Sequence, residues 1–505
     1  MQFDQSAKLD LITNALDNLK QRVEHVGHQN TADESAVLRE LESLKQDISR
    51  VTLSQECIAE EQALLKSLSF KTQPVRQTSI PEHHQKTFGW VYQSGIGTPK
   101  VATCVAEWLR GSNGLFWVSG KPGSGKSTFM KFIANDPRTM GLLSEWSGSK
   151  QVIIASHFFW SAGTPMQQSQ EGLLRTLLYE IFRQCSELIT PFCGNRRPAQ
   201  GEESEDGFSP WILSDLQAIL RKVATQETAS LKFCFIIDGL DEYDGDHYEL
   251  CEVLKDLVKS GNIKMCLSSR PWNVFEEAFG EDLENKLYIQ DLTRNDILEY
   301  TRCRLYEHRR WPSLAANASQ SNWLIEEIVT RACGVFLWVF LVTKLLREGL
   351  TNRDDFSDIC RRLESFPVEL EVFFRQILNS VEPFYYNKMS TTLQITIAAP
   401  EPLHAMAYYF HDQEYDDEDY LFHLPIRPFS RDEDKRLRED MIWRLNSRTR
   451  GLLEMNRESG TVTFLHRTVM DFLKTREMSD FLGNKASANF ILPLSLLKVY
   501  TAMIK

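Results

Sequence analysis

LFWVSGKPGSGKSTFM, residues 115–130, is an apolar run, then a glycine-rich turn, then the opening of an apolar helix pattern. Gly120, Lys121, Pro122, Gly123, Ser124, Gly125, Lys126 and Ser127 complete a G-x-x-x-x-G-K-S phosphate loop, followed by Thr128. The strand before it and the helix after it are the context such a loop requires. Its glycines let the backbone close round a phosphate with N–H groups turned inward, and the helix start adds partial positive charge. Lys126 is placed to reach the β- and γ-phosphates, and the Ser127 hydroxyl to ligate Mg²⁺. The expected ligand is a nucleoside tri- or diphosphate. No N-K-x-D guanine-reading motif follows the loop, so adenine is the default base and ATP/ADP the expected pair.

Around this loop, strand and helix patterns alternate. LFWVSG (115–120), VIIASHFFW (152–160), KFCFIIDG (232–239) and KMCLSSR (264–270) are continuous apolar strands. Helical patterns at 171–185 and 247–260 fall between them. That arrangement predicts an α/β P-loop NTPase core, a parallel sheet covered on both faces. The third strand runs into Asp238-Gly239-Leu240-Asp241-Glu242. An acidic residue at a strand's C-terminal end faces the ligand crevice of an open sheet. Asp238 is therefore expected to hold the metal, and Asp241 and Glu242 to orient or deprotonate the attacking water. The next strand ends at Arg270, expected to sense the γ-phosphate with Ser268 and Ser269 in support; pairing with a local carboxylate is the structural alternative.

Beyond Pro271 the pattern turns helical, at 291–308 with Thr293 as a plausible cap and at 322–350. From 351 it is mixed, with an acidic stretch at 413–420 read as solvated loop and a strand-like TVTFLH (461–466) leading into RTVMDFLKT. At the other end, Leu9, Ile12, Leu16, Leu19, Val23 and Val26, and again Val37, Leu41, Leu44, Ile48 and Val51, alternate spacings of three and four. These predict two N-terminal helices, a hairpin packed on the body or a coiled-coil element that pairs with another chain. The domains expected are 1–66 (N-terminal helical or coiled-coil region), 67–110 (linker and docking helix), 111–275 (NTPase), 276–350 (helical), 351–480 and a tail at 481–505.

The net charge of −12 and a pI near 5.5 argue against duplex nucleic acid as the main partner. Ten cysteines without a C-x-x-C pair suit the reducing cytosol, so a cytoplasmic location is expected. The most hydrophobic stretch, 334–342, falls short of a membrane span, and none is expected.

GKPGSGKST (120–128), FIIDGLDE (235–242) and CLSSRPW (266–272) together resemble the NACHT class of STAND nucleotide-binding switches. HFFWSAGT (157–164), GLLRTLLYEIF (172–182), DLTRNDI (291–297), GVFLWVFLV (334–342) and FLHRTVMDFL (464–473) look like blocks of its fungal members, the heterokaryon-incompatibility and NOD-like receptor proteins. The resemblance covers about 66–475. It implies a helical domain after the NTPase and a winged-helix-like domain over 351–480 that closes over ADP. It also implies opening and oligomerisation on exchange for ATP, with slow hydrolysis, and a role in fungal self/non-self recognition. His466 matches the family's winged-helix histidine, which touches the ADP β-phosphate. Gly334-Val335-Phe336 stands where many relatives carry a G-x-P turn that contacts adenine.

The leading expectation is thus a switch whose N-terminal helices self-associate or bind another protein. A conventional ATPase or phosphotransferase and a non-cycling ATP-stabilised scaffold are the alternatives.

Overall fold

The computed structural model describes residues 58–82, 84, 87–92, 100–193, 210–225, 231–314, 317–427 and 429–504. The two N-terminal heptad runs lie outside the described residues.

Four long apolar runs become strands: β1 (Leu115–Ser119), β2 (Gln151–Phe158), β3 (Leu231–Asp238) and β4 (Ile263–Ser269). A short β5 (Lys286–Tyr288) completes a five-stranded sheet of order β2-β3-β4-β1-β5, every neighbouring pair parallel. Alternation along β3 explains why its run is apolar throughout. Phe233, Phe235 and Ile237 enter the core on one face, and Cys234 and Ile236 enter the core on the other. β5 has no such signature, because Leu287 alone of its three residues is buried. β4 lies between the phosphate-loop strand and the acidic strand, so loop and carboxylates sit at the same sheet end, one strand apart.

The helices at 171–185 and 247–260 form as Gln170–Gln184 and His247–Val258, capped by Ser169 and Asp246. Thr293 holds the N-cap position of helix Arg294–Tyr306, yet its hydroxyl bonds back to Gln290 O and caps nothing. The 322–350 stretch breaks into Ala318–Ala332 and Phe336–Thr351, because Cys333 (φ 46°) and Gly334 (φ 78°) are left-handed. The 67–80 stretch, read as linker, runs as a fastened strap containing a short helix, Val75–Ser79. Gln167 Nε2 donates to Thr72 O (2.9 Å), Arg175 Nη2 to Ser67 O (2.6 Å) and Lys131 Nζ to Ile80 O (2.8 Å).

After β5 the main apolar core runs from Ile297 to Val499, with a small second cluster at Phe410, Tyr420 and Ala502. Within the main core, helices Tyr386–Ala398, Ala405–Gln413 and Arg431–Thr449 precede an antiparallel hairpin of β6 (Leu453–Met455) and β7 (Val462–Phe464). His404 bridges to Thr461 beside the hairpin. The acidic stretch is only partly solvated: Glu414 accepts from Ser495 Oγ (2.7 Å) and Lys498 Nζ (2.8 Å), fastening the last helix, Leu492–Ile504. Among the described residues no helix is long and apolar enough to cross a membrane.

Candidate functional site

The phosphate loop joins β1 to helix Lys126–Asn135. Gly123 (φ 72°) and Gly125 (φ 94°) take left-handed conformations that a side chain would strain. Pro122 and Gly123 form the turn, Lys121 stands exposed, and its N–H donates to Gln290 Oε1 (3.3 Å). Lys126 folds back over the loop, donating to Gly120 O (2.7 Å) and Lys121 O (3.2 Å). Loss of hydration lowers its pKa, opposed by Asp241 and Asp238. Ser124 Oγ is buried without a partner.

Asp238 lies at the tip of β3, 1 % exposed. Burial raises its pKa, against Ser127 and Ser268, which both hold the carboxylate. Ser268 Oγ donates to Asp238 Oδ1 and accepts from Gly239 N (3.0 Å). Ser269 accepts from Trp117 Nε1 (2.9 Å) and donates to the Arg270 carbonyl (3.0 Å). The support expected of Ser268 for the arginine side chain goes instead to the acidic strand's tip, and Ser269 reaches only the arginine's backbone.

Arg270 takes the carboxylate partnership that was the alternative to sensing. Its Nε lies 3.1 Å from Asp241 Oδ2, its N–H donates to Asp241 Oδ1 (3.0 Å) and its Nη2 to Asp471 Oδ2 (2.7 Å). Sequence reasoning passed over the residue that completes this cluster. Arg467, which opens helix Arg467–Leu473, donates to Asp241 Oδ2 (2.8 Å) and lies 3.4 Å from Glu242 Oε1. Burial works against its charge, yet Glu242, Asp241 and Asp471 outweigh that and raise its pKa. Glu242 also accepts from Ser161 N (2.8 Å). The available signal was the R-x-x-x-D spacing of Arg467 and Asp471, one helical turn apart.

A cavity of about 810 Å³ opens beside the loop, between Gly123, Ser127 and Thr128 on one wall and His466 and Arg467 on the other. His466 caps its helix, Nδ1 accepting from Thr468 N (3.1 Å). Burial first, then Arg76, Lys126 and other cations, hold the imidazole down at about 3, so it is neutral at pH 7. The cavity's apolar end is aromatic. Tyr300 meets His84 and Phe336 edge-on (centroids 5.7 and 6.0 Å), and the Phe336 ring stands against Gly125. Leu337 N donates to Gly123 O (3.0 Å), tying the helix after Gly334 to the phosphate loop. A further cation missed in the strap, Arg76, also lines the cavity.

Comparison with known proteins gives two family matches, each over less than half of the chain. The nephrocystin 3 N-terminal family matches residues 102–270, and a domain of unknown function (DUF7791) matches 380–505. No curated protein matches the chain. Among solved structures, Drosophila ORC bound to DNA is 15 % identical, covering 73 % of this chain and 91 % of that one at a TM-score of 0.31. Cdc6p from Pyrobaculum aerophilum is 10 % identical, covering 84 % and 98 % at 0.31. The Aeropyrum pernix ORC1 protein in complex with DNA is 12 % identical, covering 75 % and 91 % at 0.27. Superpositions this loose carry no argument about partners. The parallel sheet, the phosphate loop at its crevice and the match over 102–270 make this chain an α/β P-loop NTPase.

Proposed function

We propose that the chain is an ATP/ADP switch of the STAND type, with a NACHT-like NTPase domain over 111–275 and a C-terminal half that closes on it. The observation that carries this reading is the clamp at Asp241. Arg467 and Asp471, from the far side of the cavity, engage the acidic turn and Arg270 together. In that state Asp241 and Glu242 are tied to guanidinium groups and to Ser161 N, not free to orient a water. Opening the clamp would release both carboxylates for hydrolysis and Arg270 for the γ-phosphate.

The helices and hairpin over 386–464 follow the order of a winged helix: helix, bridge, two longer helices with the one-turn Tyr420–His423 between them, then two strands. That order supports the winged-helix reading of 351–480. The helices from 294 to 351 support a helical domain between it and the NTPase. In the closed arrangement the neutral His466 would meet a β-phosphate as a hydrogen-bonding group, not as a charge. The fungal recognition role, the cytoplasmic location and self-association through the N-terminal helices belong to the same proposal.

A magnesium ion fits this site. Asp238 Oδ2 is buried and unpartnered, and Ser127 lies against the same carboxylate. These two residues would hold the ion, which when bound neutralises phosphate oxygens. Lys126 would exchange its two loop carbonyls for phosphate oxygens, regaining charge-assisted bonds.

The test is to denature the purified chain and quantify the nucleotide released. Near-stoichiometric ADP is expected. An empty site with rapid steady-state turnover would overturn the switch in favour of a conventional ATPase. Glu242→Gln with unchanged turnover and unchanged assembly would favour a non-cycling scaffold.

A further inference from the structure

Cations surround the acidic end of the cavity, and most are already spoken for. Lys126 rests on two backbone carbonyls. Arg270 and Arg467 share Asp241, Glu242 and Asp471, so three carboxylates face two guanidinium groups. That cluster carries no surplus positive charge for a third phosphate.

Arg76 differs. It lines the same cavity as Ser127 and His466, near enough for its charge to act on Asp238 and on His466. Among the described residues its guanidinium has no ion pair or hydrogen bond, and Nε is buried without a partner. The nearest aromatic ring, Trp160, stands 5.9 Å from its central carbon, at the limit of a useful contact. A buried N–H left without an acceptor is unfavourable unless a ligand supplies one. Nor does Arg76 sit on a loose segment. The strap is fastened on both sides of it, at Thr72 O by Gln167 and at Ile80 O by Lys131.

We propose that, while Arg270 is held by Asp241 and Asp471, Arg76 is the cation that first meets the terminal phosphate of a nucleoside triphosphate, so that the strap over 67–80 distinguishes tri- from diphosphate. The proposal rests on the nucleotide-binding reading above. The inner phosphates fall to the loop N–H groups, with Lys126 between the inner and terminal ones. The terminal one lies on the metal side, toward Asp238, where Arg76 directs its charge. The residue escaped sequence reasoning because it stands in a stretch without periodicity, 44 positions before Gly120.

The test measures binding of Mg·ATP and Mg·ADP by titration calorimetry to the wild type and to Arg76→Ala, Arg76→Lys and Lys126→Ala. Arg76→Ala is expected to bind ATP about 10- to 100-fold more weakly, with ADP affinity kept within about twofold, the size of one charge-assisted contact. Arg76→Lys should recover part of the loss, since it restores charge but not the fork. Equal losses for both nucleotides, or no loss for ATP, would overturn the proposal. Lys126→Ala should lose both nucleotides. If it binds both like the wild type, or if the wild type binds neither, the nucleotide reading fails and Arg76 falls with it. Melting without nucleotide should be unchanged in Arg76→Ala, because among the described residues the side chain bonds to nothing. Should that variant melt lower, Arg76→Lys carries the comparison.

Discussion

Asp241 is where distant parts of the chain meet: its carboxylate binds Arg270, just past the end of β4, and Arg467 from 226 positions away. With Asp241 4 % and Arg467 14 % exposed at the side chain, water screens this pair only weakly. Arg467→Ala leaves the Arg270–Asp471 pair across the cavity but removes the contacts to Asp241 and Glu242, weakening closure by about 1–3 kcal/mol. Under the switch reading, the variant should retain less ADP and run as larger assemblies in size-exclusion chromatography with light scattering. Full ADP retention in a monomeric Arg467→Ala would remove the clamp from the mechanism. Residue identity made Lys126, Ser127 and Asp238 legible in the sequence, because each is fixed within a local motif. Arg467 and Asp471 were not, since their partners are set by tertiary packing.

At the scale of elements, the segment 87–92 shows what periodicity can and cannot reveal. Its aromatics pack on the helix that follows the phosphate loop. Phe88 stands against Phe129 and Phe132, and Trp90 stacks on Phe129 (centroids 5.7 Å). The acceptor beneath them, Asp296, carried no sequence signal. It receives Trp90 Nε1 (2.8 Å) and Phe88 N (3.3 Å). Burial pushes its carboxyl up to about 6, only partly offset by those bonds. An ordinary aspartate in the unfolded chain titrates near 3.9, so the folded state holds this proton longer. The stabilising contribution is therefore full below about pH 4 and declines as pH rises to about 6. Asp296→Asn should abolish that decline. Compared by thermal melting at pH 4.5 and 6.5, the variant should gain on the wild type at the higher pH. A constant difference would mean the carboxyl is already charged at the lower value. The sheet was legible for the opposite reason: β1 to β4 are buried on both faces and read as unbroken apolar runs, which the three residues of β5 cannot.

For the whole molecule, the C-terminal half combines its apolar core with buried charge. Arg448 and Asp412, each 4 % exposed at the side chain, pair at 2.6 Å. Glu414 beside them is held at about 2, since the bonds from His411, Lys498 and Ser495 outweigh its burial. Its contribution is complete above about pH 4.5 and lost as pH falls toward 2. Glu414→Gln should flatten the acid limb of the unfolding curve between pH 5 and 3, at a cost of about 1–3 kcal/mol near neutrality. An acid limb as steep as the wild type's would exclude this tie. The charge pattern of 413–420 hid the arrangement, because a run of carboxylates reads the same whether it is solvated or, as at Glu414, folded onto a lysine.

The single bond from Leu337 N to Gly123 O makes the phosphate loop a fulcrum. Helix Phe336–Thr351 springs from that point, and its 16 residues span about 24 Å. A rotation of about 5° at the loop would swing its far end by about 2 Å, the size of shift that re-seats packed helices. A Cβ on Gly123 would stand 2.7 Å from the Cβ of Leu337, so the pivot has no slack. Under the switch reading, a sub-ångström adjustment around a bound phosphate would be geared up into a displacement at the opposite end of the helix, beside the core that carries the C-terminal half.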